Sequence, residues 1–72
     1  MSEIEEHAKV LKASVMMIEM CMERGEISEE IRETIPEMME MYIMHMMNES
    51  DKMSEEYKKD MKDIGEIISR IM

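Results

Sequence analysis

Pro36-Glu37-Met38-Met39-Glu40-Met41-Tyr42-Ile43-Met44-His45-Met46-Met47 is the least polar stretch of a 72-residue chain, and it contains no lysine or arginine. Wound as an α-helix it is apolar on nearly every side, interrupted only by Glu37, Glu40 and His45. A helix with such a surface must be covered from several directions. The stretch therefore predicts a central helix, buried by its own chain and by a partner.

Working outward, Thr34 and Glu37 stand at capping-box spacing, and Pro36 sits where a first helical turn tolerates it. An interior proline costs about 3 kcal/mol, so a break or sharp kink is expected there. It would separate a short helix over 28–34, N-capped by Ser28 with Glu29 and Glu30 behind it, from a helix over 35–48. Ile27, Ile31 and Ile35 keep one side of this region apolar. Upstream, Ile4, Ala8, Leu11, Val15, Ile18 and Met22 recur at four-three spacing, the stripe of a helix over 2–24. Ser2 is its expected N-cap, Glu3, Glu5 and Glu6 suit its positive end, and Gly25 is its natural C′ residue. Val10, Ser14, Met17 and Cys21 form a second row, so the apolar face is wider than one neighbour needs. Downstream, Asn48–Lys52 is polar and ends the Met-rich helix. A last helix over 54–71 carries Tyr57, Met61, Ile64, Ile68 and Ile71, with Ile67 alongside. Glu55–Lys59 and Glu66–Arg70 are i,i+4 pairs in the favourable order, and Gly65 marks a close crossing with a neighbour. No strand pattern occurs. The expected fold is all-α: one domain over 1–72, a small three- to four-helix bundle completed by homodimerisation.

The totals agree with that need. A chain this short hides only about 60% of its unfolded surface, and small scaffolds add disulfides, metals or oligomerisation. The single cysteine, Cys21, excludes an internal disulfide and favours a reducing compartment. The acidic opening Met-Ser-Glu-Ile-Glu-Glu does not match a secretory leader, and no apolar run approaches the roughly 18 residues that span a bilayer. The expected location is cytoplasmic, with no membrane partner. A net charge of −9 argues against direct nucleic-acid binding, which needs a basic patch.

Chemistry-bearing residues are few. Ten of the fourteen methionines cluster on the first and central helices. Thioethers suit Cu(I), and Cys21 and His45 lie in the same clusters, so a Cu(I)-binding bundle is one alternative. The favoured expectation is no metal and no cofactor, with methionine as core or interface filler in a chain that lacks Phe and Trp. No Glu-x-x-His occurs, and His45 is expected to make a polar contact at an interface or solvent boundary. Cys21 has no nearby base, and the two glycines form no phosphate loop, so no enzyme is expected. Size, acidity and the opening residues resemble acyl carrier proteins. Those carry Asp-Ser-Leu at the second helix, whereas Ser28 here lies between Ile27 and Glu29-Glu30, and that activity is not implied.

Two surfaces remain. Met17, Met20, Met39, Tyr42, Ile43 and Met46 are the expected anchors of a protein-binding and dimer interface. Glu26, Glu30, Glu33, Glu37 and Glu40 form an acidic face. From Glu26 to Glu49 seven acids stand against Arg32, which is −6 of the total −9. The expected function is that of a small acidic, methionine-rich regulatory module that binds itself and another protein. The alternative is an acidic, phage-type inhibitor that imitates nucleic acid and occupies a basic cleft.

Overall fold

The computed structural model describes residues 3–47 and 53–72. The expected N-cap at Ser2 and the polar break at Asn48–Lys52 lie outside them. The described chain forms α1 (Glu3–Glu23), α2 (Glu29–Glu33), α3 (Ile35–Met46) and α4 (Glu55–Ile71), with no strand among the described residues. None of these helices is long and apolar enough to cross a membrane.

The helix ends follow local chemistry, with one exception. Gly25 adopts φ 70°, its N–H reaches the Met22 carbonyl at 3.1 Å, and the Glu26 N–H reaches the Cys21 carbonyl at 2.9 Å. That double bond pattern is a Schellman stop, which a residue with a Cβ would strain. Ser28 and Ser54 accept from the N–H groups of Ile31 and Tyr57, each at 3.2 Å, and so open α2 and α4. The capping box expected at Thr34 does not form. A side-chain cap requires extended backbone, yet Thr34 stays helical at φ −79°, ψ −16° with no such bond. Its hydroxyl donates back to the Ile31 carbonyl at 2.6 Å. The Met38 N–H still reaches the Thr34 carbonyl at 3.0 Å, so α2 and α3 join through Thr34 alone, two residues before Pro36.

α1 and α4 carry the core. Ala8, Leu11, Val15 and Ile18 share one cluster with Tyr57, Met61, Ile64, Ile67, Ile68 and Ile71, and Ile35 adds the start of α3. The two helices run parallel, because their cross-links keep a nearly constant offset. Lys9 pairs with Glu56, and Lys12 with Asp60 at 3.3 Å and Asp63 at 2.8 Å. Arg70 grips Glu19 through Nε at 2.5 Å and Nη2 at 3.1 Å. The partners are 47 to 51 residues apart in every case. α3 runs antiparallel to both and packs on one side of the pair, bringing His45 to His7. The i,i+4 pairs read from sequence are displaced. Lys59 lies 3.8 Å from Asp63 and Lys58 lies 3.4 Å from Glu55, while Arg70 takes the bidentate partner on α1, a stronger geometry than an exposed i,i+4 contact.

The Met-rich helix is not central. Its own chain covers one side only: Ile35 and His45 are buried, while Met41, Ile43, Met44, Met46 and Met47 are exposed. Nor is methionine the core filler. Met61 alone is buried among the described methionines, and isoleucine does most of the filling. The reason is thickness. The molecule measures 38 × 19 × 17 Å, less than two helix diameters across, so every helix keeps a face on water.

The close crossing expected at Gly65 is present. A Cβ there would stand 2.5 Å from the Tyr42 hydroxyl and 3.0 Å from the ring carbon that bears it. An unobstructed helical Gly→Ala change gains about 1 kcal/mol. Here Gly65→Ala is expected to lower the unfolding midpoint, overpacking costing about 1–3 kcal/mol. Tyr42→Leu in the same chain should recover most of the loss, and an additive double-mutant cycle in thermal denaturation would contradict the contact.

Candidate functional site

Between α1 and the α2–α3 arm the packing leaves a groove of three linked hollows. The first, about 410 Å³, lies among Met17, Ile18 and Cys21 of α1 and Ile31, Thr34 and Met38 opposite. The second, about 270 Å³, shares Ser14, Thr34 and Met38 with it and adds Val10, Leu11 and Met41. The third, about 410 Å³, shares Met41 and His7 and is completed by Met44 and His45. Ser14 is small where α1 faces the arm, and its hydroxyl donates to the Val10 carbonyl at 2.9 Å instead of bridging. The walls stay apolar and open: Val10 is 63%, Met17 65% and Met44 69% exposed.

Charge is segregated around this groove. Glu30 and Glu37 stand in its lining. With Glu26, Glu33 and Glu40 they are all exposed, and none of the five forms an ion pair with another described residue. The cations Lys9 and Lys12 of α1 are instead held against α4.

The six expected anchors do not share one surface. Met17 lines the first hollow. Tyr42 and Met46 line a separate one of about 320 Å³ between α3 and α4, beside Met61, Lys58 and Lys62. Met39 and Tyr42 pack against the core, and Met20 and Ile43 are exposed. Val10, Met41 and Met44 are groove residues that the sequence did not single out as anchors.

At the third hollow stands a group that sequence reasoning missed. His7 Nδ1 lies 2.8 Å from His45 Nε2, and His45 Nδ1 lies 2.9 Å from the Tyr57 hydroxyl. The imidazole centroids are 5.0 Å apart with planes 20° from parallel. With the nitrogens at 2.8 Å, that separation leaves about one ring radius at each end, so the rings meet edge to edge in a directed hydrogen bond. His45 is 6% and Tyr57 1% exposed, and the bond chain satisfies both buried rings. One proton fits between the two imidazoles. If both histidines were charged, two N–H groups would face each other. A tyrosine in a core stripe needs a partner for its hydroxyl, and that was the available signal; the 38-residue separation of the histidines hid the rest.

Among the described residues no group of three or more His, Cys, Asp or Glu is placed to hold a metal ion. His7, His45, Met41 and Met44 form the nearest soft donor set, but the two facing nitrogens point at each other and are hydrogen-bonded. No buried side-chain nitrogen or oxygen among the described residues lacks a partner. No family model matches the chain, and neither a curated protein nor a solved structure matches it.

Burial, and secondarily the charge of His7, pushes the His45 pKa below its ordinary value of 6.5. The folded state thus prefers neutral His45, and the unfolded chain takes up the proton first. Stability from this group is complete above about pH 6.5 and is lost as pH falls below it. The carboxyls of Glu19 and Asp63, held low by Arg70 and Lys12, act only in a more acidic window. The unfolding midpoint should therefore drop between pH 7.5 and 5.5, and His45→Gln should flatten that drop. An equal slope in both proteins would remove His45 as its source.

Proposed function

We propose that the protein is a small acidic binding module that acts on another protein through the Met-rich face between α1 and α3, without catalysis. One observation carries this reading: Val10, Met17, Met41 and Met44 stand exposed around a continuous apolar groove, in a chain whose own core is already closed by isoleucine. Contiguous apolar surface on a small acidic protein marks an interaction site. Flexible thioethers suit surfaces that repack around a partner. The apolar end of α3, where Ile43, Met46 and Met47 are exposed, supports homodimerisation outside the groove.

A second reading has its own support. Glu26, Glu30, Glu33, Glu37 and Glu40 are exposed on one arm, as an inhibitor that occupies a basic cleft would require. Reversing Glu26 and Glu33, which stand outside the groove lining, separates the readings, since the inhibitor would lose its partner and the apolar module would retain most of its affinity.

Light scattering at several concentrations, with an apolar dye titrated in parallel, tests the main reading. The native chain is expected at twice its 8.6 kDa mass. Ile43→Glu with Met46→Glu should return it to monomer without unfolding it, and dye should bind the groove in both. A monomer that takes up no dye would sink the reading.

A further inference from the structure

We infer that the groove between α1 and the α2–α3 arm seats a basic amphipathic helix of a partner protein. This rests on the protein-binding reading and adds the chemistry of the occupant.

Shape comes first. The three hollows follow one another along α1 from His7 to Cys21, a span of about 21 Å at 1.5 Å per residue. A guest helix of about 14 residues matches that length. Three hollows over that span take one apolar side chain about every 7 Å, which a helix supplies near positions i, i+4 and i+8. An extended peptide would need partners for its backbone N–H and C=O groups, and the thioether and aliphatic walls supply none. A helix satisfies its own.

Charge then selects the guest. Glu30 and Glu37 stand in the lining, with Glu33 and Glu40 on the same arm, while Lys9 and Lys12 are engaged on the far side of α1. Lysine or arginine flanking an apolar stripe would lie over these glutamates. A second copy of this chain is a poor occupant, because two such faces brought together would oppose their glutamates. Methionine floors fit side chains of several shapes, so pattern and charge set the specificity.

The test uses a fluorescein-labelled synthetic peptide of 15 residues, with leucine at i, i+4 and i+8 on one face and lysine on the rest. Anisotropy is read against the full chain. One control peptide has the same composition with the leucines scattered round the helix, and the other has glutamate in place of lysine. The patterned basic peptide should bind at least about tenfold more tightly than either, or about 1.4 kcal/mol. Its affinity should fall with salt. Met17→Glu with Met44→Glu should abolish binding. Glu30→Lys with Glu37→Lys should weaken it about tenfold and flatten the salt dependence. All four positions are surface-facing enough for circular dichroism to confirm an intact fold. Equal binding of patterned and scattered peptides would overturn the inference, as would indifference to the two glutamates. If no peptide binds while the native chain still takes up apolar dye or pairs through Ile43 and Met46, the occupant is wrong and the binding reading stands. If dye uptake and self-pairing are absent too, both fall.

Discussion

Everything in this molecule depends on the parallel seam between α1 and α4. Along it Ala8, Leu11, Val15 and Ile18 are buried with Tyr57, Met61, Ile64 and Ile68, and a ladder of ion pairs fixes the register at its edge. Burial of aliphatic area provides the drive, while the part-buried Lys12 between Asp60 and Asp63 penalises any slip by leaving a carboxylate inside without its cation. With that seam complete, α3 is a lid laid on one side. It needs only Ile35, His45 and its Met38, Met39 and Tyr42 contacts to stay in place, and the rest of its surface is released for other use.

The sequence was most legible where periodicity and caps agree. α1 and α4 appeared with boundaries close to those observed, because a four-three stripe of aliphatic residues runs along each, with a glycine stop after α1 and a serine cap before α4. Gly65 was readable as a crossing for the same reason, since a glycine in a good helix needs a cause. The arrangement of the helices was not legible. Hydrophobicity pointed to Pro36–Met47 as the middle, but apolarity reports a need for cover without saying who supplies it. Thr34 misled in a similar way: the spacing to Glu37 is that of a capping box, yet its backbone never leaves the helical region. Of the surface, the acidic face was visible as counted charge. Of the groove only the α1 wall was visible, as the row Val10, Ser14, Met17 and Cys21; that Thr34 and Met38 stand opposite it could not be read from residues about 20 positions away.

Polar residues placed in apolar surroundings proved to be partners of one another. His45 on the Met-rich helix and Tyr57 in the α4 stripe look like separate anomalies in sequence. In space they form one hydrogen-bonded chain that opens to solvent at His7. The arrangement lets α3 bury an imidazole at little cost, since an unbonded one would forfeit its hydration. It also fixes α3 in rotation about its axis, and with it the side on which Met41 and Met44 emerge.

The parallel seam has a consequence for how the chain acquires its structure. Its contacts join residues about 50 positions apart, so the entropy of closing most of the chain must be met before the core gains anything. A helical protein ordinarily folds fast because its contacts are local. Here the local neighbours, α1 with the α2–α3 arm, meet across a groove, and six of the eleven buried core residues belong to α4. On a ribosome, α1 to α3 would therefore emerge as helices without a core, their methionines open to solvent, until α4 cleared the exit and closed the molecule.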